Sequence, residues 1–322
     1  MSYIFLVFGF LILIKSADFL VDGASSFAKK FGISELVIGL TIVAFGTSAP
    51  ELFVNVFSAM KGETGIALGN ILGSNIANIL LILGISGFIY PLKAKTSTVY
   101  KEIPFTLLSS FALFFLIFDS FFSQAKENIL TRGDGLVLLL FFLIFFVYTF
   151  GISKQETQFF SEKVNEMSIV KSMIYIIGGI IGLALGAELL VRSARAIALS
   201  FGVSETFIGL TIVAVGTSLP ELMTSIIASK KKNSDIAIGN IIGSNIFNTL
   251  FILGITSIIY PLSVESGSIF DVLFMILITF LLLIFLLFVG QREILGRLEG
   301  SIFLFLYMSY MSYLIYNQVL AI

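Results

Sequence analysis

Long apolar stretches broken by short polar turns set the rhythm of this chain. They fall near residues 2–21, 35–60, 66–89, 102–119, 133–152, 172–199, 205–230, 236–259, 270–289 and 300–321. A helix that crosses a bilayer needs about 20 mostly apolar residues, so the pattern predicts roughly ten spans. The first stretch lacks a basic leader and an A-x-A cleavage site and runs on through Ser16, Asp18 and Asp22, so it reads as a retained span. The breaks carry charge and turn residues, as at Lys29-Lys30-Phe31-Gly32, Tyr90-Pro91 and Lys230-Lys231-Lys232-Asn233.

The pattern repeats. Residues 31–91 match residues 201–261 at a constant offset without a gap, and 36 of the 61 positions are identical. Gly46-Thr47-Ser48 and Pro50-Glu51-Leu52 return as Gly216-Thr217-Ser218 and Pro220-Glu221-Leu222. Gly73-Ser74-Asn75-Ile76 and Asn78 return as Gly243-Ser244-Asn245-Ile246 and Asn248. Each copy belongs to a set of about five spans, and an odd number makes the second set enter the membrane from the opposite side. The expected fold is an all-α integral membrane protein with about ten transmembrane helices in two inverted-topology five-helix repeats. The first repeat covers 1–152, a cytoplasmic linker 153–171, and the second repeat 172–322. Lys and Arg concentrate in the loops after odd-numbered spans. That bias places those loops in the cytoplasm and both termini outside.

The best-preserved residues are polar ones inside apolar helices. A carboxylate at a helix centre costs about 2.5–3.5 kcal/mol on insertion scales and commonly marks an ion pathway. Thr47 and Ser48 precede Glu51 by four and three residues, so the three share a helix face, as do Thr217, Ser218 and Glu221. Pro50 and Pro220 each remove a backbone donor. A kink there is expected to turn carbonyls near Ala44 and Thr47, and near Ala214 and Thr217, toward a cavity. The following spans add the stripes Asn70, Ser74, Asn78 and Asn240, Ser244, Asn248. Asn75 and Asn245 lie roughly 100° from the serines and are not expected to reach the same point. Thr41 and Thr211 are as well explained by a bond to their own helix, and Ser58, Ser86, Ser109, Ser110 and Thr256 better so. Asp18 and Glu188, also repeat mates, suit interfacial pairing. Arg192 and Arg195 suit snorkelling. Lys230 to Lys232 suits a topology signal, and the Phe-rich runs suit lipid-facing or packing surface.

Composition narrows the chemistry. Hydrophobic residues make up 57% of the 322 positions and charged residues 12%, about half the share of a soluble domain. The chain has no Cys and no His, which removes thiolate chemistry and the usual zinc ligand and general base. A net charge of −1 argues against nucleic acid as a partner. What remains is a set of hard oxygen donors, enough for Ca²⁺, which takes six to eight oxygens. Two Glu balance one divalent or two monovalent ions, as competitive exchange requires. No catalytic set, no cofactor and no obligate protein partner is expected. A channel or ion sensor is the rival class, without a pore signature in the sequence.

With two copies of G-T-S-x-P-E-L followed by G-N-I-x-G-S-N-I-x-N, the chain resembles the calcium/cation antiporter superfamily, and most closely its prokaryotic sodium/calcium exchanger branch. The resemblance implies four ion sites built by spans two, three, seven and eight, and Na⁺-driven Ca²⁺ extrusion by alternating access. It assigns Glu51 and Glu221 as central ligands, joined for Ca²⁺ by the backbone carbonyls of Thr47 and Thr217. It assigns Ala44, Ser48 and Ser74 to a Na⁺ site on one side and Ala214, Ser218 and Ser244 to the other, with Asn78 and Asn248 lining the middle. Some relatives carry Asp at the position of Asn248. Asn in both repeats keeps the site charge at −2, argues against K⁺ cotransport and leaves stoichiometry open. The alternative is an H⁺-coupled or other divalent-cation exchanger of the same fold, since a Glu in a low-dielectric site can titrate near neutral pH. Rigid rocking or sliding of spans one and six past a stiff core is the expected motion, with Gly178, Gly179, Gly182 and Gly186 letting span six slide.

Overall fold

The computed structural model describes residues 2–122, 127–152, 166–201 and 214–320. Among them, eight helices are long and apolar enough to cross a membrane, and a bent pair makes a ninth crossing. In chain order the helices are α1 (Ser2–Phe31), the bent pair α2 (Glu35–Thr47) and α3 (Ala49–Met60), α4 (Thr64–Ile89), α5 (Thr98–Ile117), α6 (Arg132–Ile152), α7 (Ile169–Ser200), α8 (Leu219–Lys230), α9 (Ser234–Ile259), α10 (Ser266–Phe288) and α11 (Arg297–Leu320). Helix α8 is the repeat mate of α3. Residues 202–213, including Thr211, and 153–165 of the expected linker lie outside the described residues.

The repeats run in opposite directions and interlock. Gly9 of α1 faces Gly186 and Leu190 of α7, and Gly23 of α1 faces Ser172 and Ile176. Rising numbers on one helix meet falling numbers on the other, so these repeat mates are antiparallel. The same holds in the centre, where Asn78 of α4 bonds Asn245 of α9 and Asn75 bonds Asn248. The inverted repeat predicted from the sequence is thus the architecture of the molecule. Two short antiparallel bridges tie the halves at their rims. β1 (Leu92–Lys93) pairs with β4 (Ile294–Leu295), and β2 (Ile129–Leu130) with β3 (Leu262–Ser263).

Burial orders the helices. Within their most apolar stretches, α4 is 72% and α9 83% buried, whereas α6 is 22% and α7 and α11 are each 28% buried. The helices with the polar stripes are therefore the central ones, and the uniformly apolar ones form the outer layer. The Phe-rich run of α6 serves both purposes. Phe145 is buried and stacks on Phe105, while Phe146 and Phe150 face outward.

Three expectations change. Helix α1 extends ten residues past the predicted end at residue 21. The small residues Gly23, Ala24, Ser25, Ser26 and Ala28 are buried in the fold, and Lys29 and Lys30 close the last turn, where cations suit the helix dipole. Lys231 is more than a topology signal, because its ammonium lies 2.6 Å from Asp18 and 2.7 Å from Asp22, one turn apart on α1. Its repeat mate Lys61 is exposed, and Glu188 pairs within its own helix with Arg192. Finally, the glycines of α7 do not offer a smooth face to the core. A Cβ on Gly179 would stand 2.9 Å from the backbone nitrogen of Leu20, and one on Gly186 3.0 Å from that of Leu13. These glycines lock span six onto span one, since only a hydrogen at Cα lets the backbones approach so closely.

This close approach predicts the behaviour of two variants. Gly179→Leu should lower the thermal midpoint of the purified protein by about 5 °C or more, because overpacking against backbone cannot be relieved by a rotamer change. Gly178→Leu has nothing within 4 Å of its Cβ among the described residues and should leave the midpoint within about 1 °C. Tryptophan is absent, so tyrosine fluorescence or a reactive dye reports the transition.

Candidate cation site

The bend between α2 and α3 is 46°, and it falls at Ser48. Pro50 sits in the first turn of α3, where a helix has no use for the missing N–H. The chain therefore starts a new helix with Glu51 in its first turn, and Leu219, Pro220 and Glu221 do the same at the start of α8. The break differs from the expected one in a detail. The Ala44 carbonyl is not released, because it accepts the Ser48 N–H at 3.0 Å and the Thr47 hydroxyl lies 3.2 Å away. The helical ladder survives through Ala44, and the chain turns only afterwards. For Ala214 only its place, at the start of the short helix Ala214–Gly216, is described.

The two carboxylates meet in the centre. Glu51 is fully buried and Glu221 is 1% exposed. The Ser48 hydroxyl donates to Glu221 Oε1 across the repeats at 2.8 Å, and Ser244 donates to the same oxygen at 3.4 Å. Ser74 donates to Glu51 Oε1 at 3.4 Å and itself accepts from Ser218 of the other repeat at 3.2 Å. Among the described residues, neither carboxylate has an ion-pair partner, and no three acidic side chains gather into a metal cluster. The site has two acids and many neutral oxygens.

A second layer also crosses between repeats. Thr47 donates to Asn240 Oδ1 at 3.0 Å, and Thr217 to Asn70 Oδ1 at 3.3 Å. Asn240 turns its amide hydrogens to the Glu221 carbonyl and the Ser225 hydroxyl. On the other side Asn55 donates to the Glu51 carbonyl at 2.9 Å. Asn55 and Ser225 were not singled out in the sequence. The signal is there, since each lies one turn beyond its Glu on the same face and they are repeat mates. Asn75 and Asn245 keep off the carboxylates, as their angle predicts, but they reach Asn248 and Asn78 of the opposite repeat. Thr41 bonds its own helix at the Val37 carbonyl, and Ser109, Ser110 and Thr256 behave likewise. Ser86 does not, for its buried hydroxyl has no partner.

Among the described residues, five oxygens in this region are buried yet accept no hydrogen bond: Glu51 Oε2, Glu221 Oε2, Asn78 Oδ1 and Asn248 Oδ1 at the centre, and Asn55 Oδ1 in the second layer. A buried acceptor left unpaired costs about 1–3 kcal/mol, and more when charged. The four at the centre, from both repeats and two of them on acids, are the arrangement that a desolvated cation relieves. Both central helices carry a π-helical turn here, Asn78–Ile82 in α4 and Phe247–Ile252 in α9. Such turns widen a helix and often accompany functional sites.

An inverted-repeat membrane fold with acids at its central crossing is the architecture of secondary transporters. The sequence profile described as sodium/calcium exchanger protein matches residues 1–151 and 171–316, and the chain belongs to that family. The putative antiporter CaxA of Alkalimonas amylolytica is 38% identical over 98% of both chains. The sodium/calcium exchanger MaX1 of Methanosarcina acetivorans is 33% identical over 98% of this chain and 99% of its own. The Ca²⁺/H⁺ antiporter ChaA of Bacillus subtilis is 31% identical over 70% of this chain and 68% of its own. A solved structure of the sodium-calcium exchanger NCX_Mj superposes with a TM-score of 0.83 at 33% identity, over 97% of this chain and 98% of that one.

The cross-repeat bond from Ser48 to Glu221 should be measurable alone. Ser48→Ala should destabilise the protein by about 1.5–3 kcal/mol, the usual worth of a hydrogen bond to a charged group. In a Glu221→Gln background the same change should cost less than half as much, as read by a double-mutant cycle on chemical denaturation.

Proposed function

We propose that the chain exchanges Na⁺ for Ca²⁺ across the plasma membrane by alternating access, with Ca²⁺ extrusion driven by the Na⁺ gradient. The observation that carries this reading is the set of four unpaired buried oxygens, Glu51 Oε2, Glu221 Oε2, Asn78 Oδ1 and Asn248 Oδ1, supplied by both repeats. Two ionised carboxylates give the centre a charge of −2. One Ca²⁺ or two Na⁺ neutralises that charge, so either load makes the centre electrically alike, and the unloaded centre resists reorientation because buried like charges are costly. Competition for one pair of acids then couples the two fluxes. Ser48, Ser74, Ser218 and Ser244, each within hydrogen-bond reach of a carboxylate or of another site serine, provide hydroxyl oxygens for the smaller charge of Na⁺. Thr47, Thr217, Ala44 and Ala214 contribute through the backbone at the bends. For Ala44 this requires its carbonyl to give up a bond it holds. Both termini lie outside the cell in this reading, following the Lys and Arg bias.

Coupling to H⁺ is the second reading. It is favoured by the burial of both carboxylates without a cationic side chain beside them, since protons also neutralise such acids. Flux separates the two. In proteoliposomes loaded with Na⁺, external ⁴⁵Ca²⁺ should enter when outside Na⁺ is removed, and the uptake should collapse when the Na⁺ gradient is dissipated. Glu51→Gln and Glu221→Gln should each lower the rate by at least about 100-fold. Uptake driven by a pH gradient alone, with Na⁺ absent, would assign the coupling ion to H⁺. Normal exchange by Glu51→Gln would remove the proposed site.

A further inference from the structure

The four asparagines at the centre form a hydrogen-bonded clasp across the repeats. Asn78 donates its amide hydrogen to Asn245 Oδ1 at 2.9 Å, and Asn248 donates to Asn75 Oδ1 at 3.0 Å. Asn245 donates to the Asn75 backbone carbonyl at 3.3 Å. Asn75 donates to the Thr249 hydroxyl at 2.8 Å and lies 3.5 Å from the Met275 sulfur. All four are at most 1% exposed. The donors and acceptors of Asn75 and Asn245 are thereby engaged, whereas Asn78 and Asn248 have their nitrogens tied and their oxygens unpaired.

An asparagine side chain has two ends of opposite polarity, and rotation about its last bond exchanges them. Beside carboxylates the exchange matters. Asn78 lies one turn beyond Ser74 on the face that meets Glu51, and Asn248 one turn beyond Ser244 on the face that meets Glu221. Turned the other way, either amide would offer N–H groups to the acids. The centre would then satisfy itself and compete with any cation.

We propose that Asn75 and Asn245 are positioning residues that fix the polarity of Asn248 and Asn78, so that the centre presents amide oxygen and never amide hydrogen to a bound cation. The inference rests on the reading of this centre as a cation cage and adds what keeps the cage from closing on itself. The clasp is unequal. Thr249 anchors Asn75, whereas its repeat mate is Ile79, so Asn245 takes a backbone carbonyl instead. The Asn75–Asn248 arm is thus held by a side chain present in one repeat only.

The test is equilibrium binding of ⁴⁵Ca²⁺ to the purified full-length protein, with the melting midpoint measured without Ca²⁺. Asn245→Ala should raise half-saturation on the order of tenfold while the midpoint stays within a few degrees. The decisive comparison repeats that change in an Asn78→Asp background. A carboxylate has no amide hydrogen to present, so there Asn245→Ala should change half-saturation by less than about twofold. Equal losses in both backgrounds, or no loss in either, would overturn the proposal. Should Asn245→Ala not fold, Thr249→Val removes the acceptor of the Asn75 amide at near-constant volume. A rise of about threefold supports the clasp, and an unchanged value overturns it. Failure of the unaltered protein to bind Ca²⁺ would instead defeat the exchange reading itself.

Discussion

Everything in this molecule is arranged around two ionisable carboxyls that a hydrocarbon environment would expel. A single buried acid costs several kcal/mol unless it is paired or neutralised, and here two acids from opposite repeats share one centre. The helical breaks, the serine donors, the asparagine layer and the deep burial of α4 and α9 follow from that placement. Each break sets a Glu in the first turn of a new helix, where the dipole favours negative charge. Ser48, Ser74 and Ser244 each donate to one oxygen of an acid and leave the other unpaired, and Ser218 joins them through Ser74. The surrounding helices keep water away from the pair.

Much of this was legible in the sequence because lipid is an unforgiving solvent. A Glu, Ser or Asn inside an apolar span stands out from its neighbours, and the second copy, faithful at the polar positions, confirms which ones count. The fold class, the antiparallel repeats and the convergence of Glu51, Glu221, Ser48, Ser74, Ser218 and Ser244 could be read in advance. Other features could not. The π-helical turns depend on the packing of neighbouring helices rather than on a local signal. The Ala44 carbonyl was expected to be free because proline weakens a helix, yet the chain holds its last bond and bends afterwards. The role of Asn75 and Asn245 was hidden because helical angle describes one helix, whereas they act on the facing one. Two-residue strands such as Leu92–Lys93 carry no periodicity at all.

The repeats are similar without being equivalent. Asn55 stands where the second repeat has Ser225, Ile79 where it has Thr249, and Lys61 is exposed where Lys231 grips two aspartates. Asp22, one of those aspartates, has Arg192 as its mate, and Arg192 neutralises Glu188 instead. Among the described residues, Lys231 therefore meets two acids on α1, and Lys61 meets none on α7.

The glycine contacts between α1 and α7 have a mechanical meaning. Where backbones touch without intervening side chains, a slide of one helix along the other would drive a Leu or Ile into the space sized for a hydrogen, at Leu13, Leu20 and Leu190 alike. The two helices therefore keep a fixed register, as a bolt does in its thread. Because they run in opposite directions, one rod carries the same end of each repeat to opposite faces of the membrane. Any axial shift of the rod is felt at both faces at once and with opposite sign.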